Sequence, residues 1–130
     1  MSDYSRDTKV WIADFGSAVK LKSANDTSKF IIGTPGYTAP EVISGKKYSF
    51  SCDIWSIGAV MHMLLSFKVL FIDDDYRKYA HNALTEPLIL ETNKYLRELS
   101  EPAKNLLKSM LKKDPRLRPT IEQVLAHQWL

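Results

Sequence analysis

The stretch from Asp14 to Glu41 constrains this chain more than any other part of it. It opens as Ala13-Asp14-Phe15-Gly16, passes through a polar loop, and closes as Gly33-Thr34-Pro35-Gly36-Tyr37-Thr38-Ala39-Pro40-Glu41. At its start an acid stands beside a hinge, because Gly16 can take backbone angles closed to other residues. At its end a Gly/Pro-rich turn stops on a second acid. Pro35, Gly36 and Pro40 forbid regular structure until a short helix after Pro40, where proline suits the first turn. Between the two acids, Ser17 to Lys29 is small and polar and reads as a mobile loop. Phe30-Ile31-Ile32 then re-enters an apolar environment before Gly33.

The remaining segments predict a mainly α chain. Ser2 to Asp7 is polar and reads as a loop, and Lys9-Val10-Trp11-Ile12-Ala13 has the β-branched and aromatic content of one short N-terminal strand. A helix is expected from Ser51 to about Ser66, with Asp53 in its first turn, where the helix dipole favours an acid. Ile54, Trp55, Ile57, Val60, Met61, Met63, Leu64 and Leu65 surround that helix, and a helix apolar all round belongs in the core. Asp73-Asp74-Asp75 reads as the solvated start of a short helix carrying Tyr76, Tyr79, Ala80 and Ala83, and Pro87 breaks that pattern. Ser100-Glu101-Pro102 starts another helix, with Ala103, Leu106, Leu107, Met110 and Leu111 on one face and Lys104, Lys108 and Lys112 opposite. Asp114-Pro115 ends it. Thr120 with Gln123 predicts a capping box for a last helix carrying Ile121, Val124, Leu125 and Trp129.

Composition narrows the function classes. Hydrophobic content of 45% and charged content of 25% are those of an ordinary globular domain, and a net charge of +3 argues against a dedicated nucleic-acid surface. The single cysteine, Cys52, excludes an internal disulfide and fits a reducing compartment. The longest apolar run, Ile54 to Leu65, is shorter than the ~20 residues that span a bilayer, so no membrane partner is expected. No apolar run comes after Met1, so no signal peptide is expected either. His62, His81 and His127 have no metal-ligand spacing. These features predict a soluble intracellular protein, cytoplasmic or nuclear.

Asp14-Phe15-Gly16 followed by Ala39-Pro40-Glu41 resembles the activation segment of a eukaryotic protein kinase, whose signature contains D-F-G and then A-P-E. Gly33-Thr34-Pro35-Gly36-Tyr37 resembles the serine/threonine version, and His127-Gln128-Trp129 resembles the close of calmodulin-dependent-type kinases. The resemblance covers nearly the whole chain. It implies the C-terminal, large lobe of the kinase fold, with a short N-terminal strand and a buried central helix. Residues 1–130 would form a partial kinase domain, with the activation segment at 14–41 and a helical subdomain at 42–130. The N-terminal lobe and catalytic loop would be absent, since the sequence contains neither Gly-x-Gly-x-x-Gly nor H-R-D.

Particular residues acquire roles by the same resemblance. Asp14 would ligate the Mg2+ that bridges the ATP phosphates, with Phe15 packed beneath it. Gly16, Thr27 and Ser28 belong to the activation segment. Thr34 takes the catalytic position in the loop that receives the residue after the phosphoacceptor, and Ile32, Gly33, Pro35 and Thr38 bind substrate there. Glu41 would pair with Arg118, leaving Arg116 to solvent, and Asp53 would anchor the catalytic-loop backbone. Several positions depart from the family: Phe30 replaces the usual regulatory threonine, Met63 a substrate-binding glutamate, and Phe67-Lys68-Val69-Leu70-Phe71 the usual Gly-x-Pro-Pro-Phe. Mg2+ and ATP are the cofactors of the complete kinase, neither held tightly by this chain alone. A protein substrate is the expected partner, and exposed lobe surface favours self-association. The resemblance leaves two function classes: part of an active serine/threonine kinase, or a kinase-derived binding module without chemistry.

Overall fold

Helix α2, Ser51–Ser66, packs against α4, α5 and the Pro115–Leu117 turn. The computed structural model describes residues 9–23, 26–71, 73 and 75–130, without the side chain of Tyr76. Around α2 lie α1 (Pro40–Ile43), α3 (Tyr76–Thr85), α4 (Lys94–Arg97), α5 (Glu101–Met110) and α6 (Ile121–Leu125). Short 3-10 turns occupy Phe15–Ser17 and Pro115–Leu117. The Ser2–Asp7 loop lies outside the described residues.

Helix starts obey local chemistry. Asp75 caps α3 by accepting from the Arg77 amide, and Ser100 caps α5 by accepting from Ala103. Thr120 and Gln123 form the reciprocal capping box of α6, each side chain accepting the other residue's backbone N–H. Asn93 caps α4 and also donates from Nδ2 to Ser66 O at 3.1 Å, which ties α4 to the last turn of α2. That turn ends with Phe67 in the left-handed region. There Ser66 Oγ donates to Lys68 O at 3.0 Å, and the His62 ring lies within hydrogen-bonding distance of the same carbonyl. A carbonyl only accepts, so His62 Nδ1 carries the proton, and burial holds the ring below its ordinary pKa.

The main core joins Trp55 and Ala59 of α2 to Ala39, Val42, Leu70, Leu90, Leu96, Leu107 and Leu111. A second cluster links Ile54 with Leu106, Met110 and Val124, so α5 and α6 share one side of α2. Gly58 makes the α2–α5 crossing close: a Cβ there would stand 3.0 Å from the Met110 Cβ and 3.1 Å from Leu111 Cδ2. A third cluster, Ile43 with Tyr79 and Ala83, seats α3 on α1.

Several expectations are corrected. Lys9–Ala13 forms no strand; Val10, Trp11 and Ile12 are 88%, 82% and 84% exposed. Strand conformation needs a hydrogen-bonding neighbour, and the only bridge among the described residues joins Ser28 to Tyr48. Helix α2 is central but not buried all round: Ile57, Val60 and Leu64 form an exposed stripe opposite the α4–α5 contact. Helix α5 ends at Met110, so Lys112 lies beyond it, and α6 ends at Leu125, before Trp129. The loop before Gly33 is not uniformly mobile in form, because Ser28 is buried and paired through its backbone with Tyr48. Phe30, Ile31 and Ile32 remain exposed, since the chain is held behind them by that bridge and ahead of them by the Thr34–Thr38 turn.

Candidate functional site

The segment from Asp14 to Glu41 is exposed at its first half and anchored at its second. Asp14 sits in the left-handed region, and its Oδ1 accepts the Gly16 amide at 3.3 Å. Its carboxylate faces solvent beside a Phe15 ring that is 69% exposed. No group of three or more His, Cys, Asp or Glu that could hold a metal ion occurs among the described residues. Mg2+ needs an octahedron of oxygens, and Asp14 could offer it one carboxylate, so the described residues do not by themselves make a site for it. Thr27 is exposed, while the Ser28 hydroxyl is within 3.4 Å of the Phe30 amide, which donates to it.

The Gly33–Thr38 turn is ordered by its own backbone. Thr34 O accepts from the Tyr37 and Thr38 amides and, at 2.9 Å, from Thr38 Oγ1. Ile32, Gly33, Thr34 and Pro35 are exposed along one strip, whereas Gly36 is buried at φ 91°. A Cβ on Gly36 would overlap Val69 Cγ1, so this position needs glycine for both angle and space. Below the turn, Ser56 Oγ of α2 donates to Tyr37 O at 2.9 Å, and Tyr79 Oη of α3 donates to Thr38 O at 3.2 Å. Sequence reasoning gave neither residue this supporting role. Their sequence separation of 19 and 41 residues leaves no local pattern to read.

The turn ends on a buried ion pair. Arg118 Nη1 donates to Glu41 Oε1 at 2.6 Å and Nη2 to Oε2 at 2.7 Å. The remaining guanidinium hydrogens go to backbone carbonyls: Nε to Lys112 O, Nη1 to Ser51 O and Nη2 to Lys113 O. All five donors of the fork are therefore used. The Arg118 Cζ also lies 5.1 Å from the Trp55 ring centroid. Arg116, by contrast, is exposed and paired with Asp114, whose carboxyl it holds down to about 2. Asp53 is exposed at the start of α2, near the weak donor Cys52 Sγ at 3.7 Å. Burial, followed by the Asp53 charge, pushes the Cys52 thiol up to about 12, so it stays protonated.

Beside this anchor runs a largely apolar groove of about 800 Å3, between the start of α2 and the Pro115–Glu122 segment, with Phe50, Ile54, Ile57 and Ile121 in its walls. No helix among the described residues is long and apolar enough to cross a membrane.

The family described as protein kinase domain matches residues 2–130. Serine/threonine-protein kinase 33 of Bos taurus is 38% identical over 120 residues, covering 92% of this chain and 24% of that protein. Serine/threonine-protein kinase PLK4 of Drosophila grimshawi is 34% identical over 126 residues, 97% of this chain and 16% of the relative. Serine/threonine-protein kinase PLK1 of Xenopus laevis is 35% identical over 123 residues, 92% of this chain and 19% of the relative. The chain thus spans a quarter or less of the length of these relatives.

Proposed function

The chain belongs to the protein kinase domain family, and on that premise we propose that it is the substrate-receiving part of a serine/threonine protein kinase, inactive by itself. One observation carries this reading: the exposed Ile32–Pro35 strip is displayed on a base fixed by Gly36, Ser56, Tyr79 and the Glu41–Arg118 pair. A surface that aligns an extended peptide needs such a base, because phosphoryl transfer depends on positioning. In the complete kinase Thr34 would stand nearest the chemistry, and Ile32, Gly33, Pro35 and Thr38 would line the peptide. Gly16, Thr27 and Ser28 would lie in the activation segment between the metal and this surface, with Thr27 the more accessible of its two hydroxyl residues. ATP with Mg2+ supplies the transferred phosphoryl group, and Asp14 would contribute one carboxylate to the ion. Asp53, solvent-facing here, would hold the catalytic-loop backbone. His127-Gln128-Trp129 favours the calmodulin-dependent group, and the use of a single cysteine, Cys52, a cytoplasmic or nuclear location.

The sequence contains neither Gly-x-Gly-x-x-Gly nor H-R-D, so the shares of the barrier reduction that those parts supply would be missing from this chain alone. A radiolabelled-ATP assay on the purified chain with generic serine/threonine substrates should show no turnover above background. Turnover that disappears in Asp14→Asn would overturn this.

The exposed apolar stripe of α2, with Ile121 across the groove, favours a second reading, a docking module without chemistry. The same surface, together with Val10, Trp11 and Ile12, promotes self-association. Light scattering at rising concentration should show mass increasing beyond the 14.9 kDa monomer; a constant monomer mass would count against it.

A further inference from the structure

Lys113 lies just past α5, ahead of the Pro115–Leu117 turn, and its ammonium meets helix carbonyls and aromatic rings instead of a carboxylate. Nζ donates to Asn82 O at 3.3 Å and, by a shorter bond, to Ala83 O. Both carbonyls belong to the last turn of α3, where Asn82 O also accepts the Glu86 amide and the helix dipole favours a cation. On its other side Nζ lies 4.1 Å from the Phe71 ring centroid and 5.9 Å from that of Trp55. Lys113 thereby fastens the end of α3 to the core. One turn earlier on α3, Tyr79 is buried against Ile43 and donates through Oη to Thr38 O, the last residue of the Gly33–Thr38 turn.

We propose that Lys113 is a positioning residue: by clasping the C-terminus of α3 it seats Tyr79 and so sets the Thr38 end of the Gly33–Thr38 turn. The clasp and the turn are joined through one short helix, so looseness at Asn82 and Ala83 reaches Thr38 without passing through α2 or α5. The consequence for peptide docking rests on the substrate-receiving reading above. The clasp itself does not, and its test reads the turn directly.

Ionisation provides a second handle. Glu86, just beyond α3, favours the ammonium, and Arg118 shares the Trp55 ring with it. Asp114, next in the chain, is engaged by Arg116. Burial outweighs Glu86 and brings Lys113 down to about 8 from 10.5. Between these values the unfolded chain holds a proton that the folded chain has released, so the contribution of this group to stability rises with pH across the window. The neutral amine keeps two N–H groups, one for each carbonyl, and the clasp persists.

The experiment is amide hydrogen exchange by NMR on the full 130-residue chain, with denaturant melts at pH 7 to 10. Lys113→Met should raise exchange about tenfold at Tyr37, Thr38 and Glu86 while leaving amides of α2 and α5 unchanged. Lys113→Arg, which keeps charge and donors, should restore protection but abolish the rise in stability above pH 8. Tyr79→Phe should also loosen Tyr37 and Thr38. The proposal is overturned if Lys113→Met leaves the turn as protected as before, if it loosens α2 and α5 equally, or if arginine does not rescue. The expected exchange changes with unaltered peptide affinity in a complete kinase would fault the substrate-receiving reading and leave the clasp standing.

Discussion

Arg118→Ala is expected to destabilise the chain by about 3–5 kcal/mol, because it strands a buried carboxylate. Glu41 and Arg118 are 5% and 7% exposed, so water cannot take the place of the missing partner. The loss on the arginine side goes further than one ion pair: the carbonyls of Ser51, Lys112 and Lys113 each lose a donor as well. Glu41→Ala leaves those three bonds intact but abandons a buried guanidinium, so its cost should be similar or slightly smaller. Lysine should rescue poorly at position 118, since a single ammonium cannot reproduce the bidentate fork. The double variant Glu41→Ala/Arg118→Ala should lose much less than the sum of the single losses, because the first substitution has already broken the pair. Urea melts on the wild-type chain, the two single variants and the double variant check this. Additive losses would show that the two residues act independently.

Trp55→Ala should cost a comparable amount, about 3–5 kcal/mol, for a different reason. The indole is 1% exposed and forms the floor of the anchor: Phe71 stacks on it with centroids 6.5 Å apart, and both Arg118 and Lys113 lie over its ring. Alanine would leave a cavity beneath two cations whose neighbours cannot close around it. Trp55→Phe should lose clearly less. Its smaller ring still offers a face to Phe71 and Arg118, and removing Nε1 strands no acceptor, because that atom has no hydrogen-bond partner among the described residues. Thermal melts of the two variants separate the explanations. Equal losses would mean that filled volume counts for little and that some feature particular to the indole holds the site.

What the sequence determined by itself was the local part of this protein. The limits of α2, the proline entry to α1, the Ser100 cap and the Thr120–Gln123 box each rest on contacts within a few residues, and those residues stand close together along the chain. Asn93 and the short helix it starts were missed although the cap is local, because four residues carry too little periodicity to announce a helix. Kinase resemblance, and not spacing, linked Glu41 to Arg118 across 77 residues. Tertiary structure alone decided the rest. The apolar run around α2 could not say which face would meet α4 and α5 and which would stay in water, since all its faces read alike. The β-rich Lys9–Ala13 run could not form a strand by propensity, because a strand's hydrogen bonds belong to a neighbour. Tyr79 on Thr38 and Lys113 on α3 arise where segments 41 and 30 or more residues apart are brought together. A side chain's local sequence fixes which bonds it can make; only the folded chain decides which distant carbonyl stands within its reach.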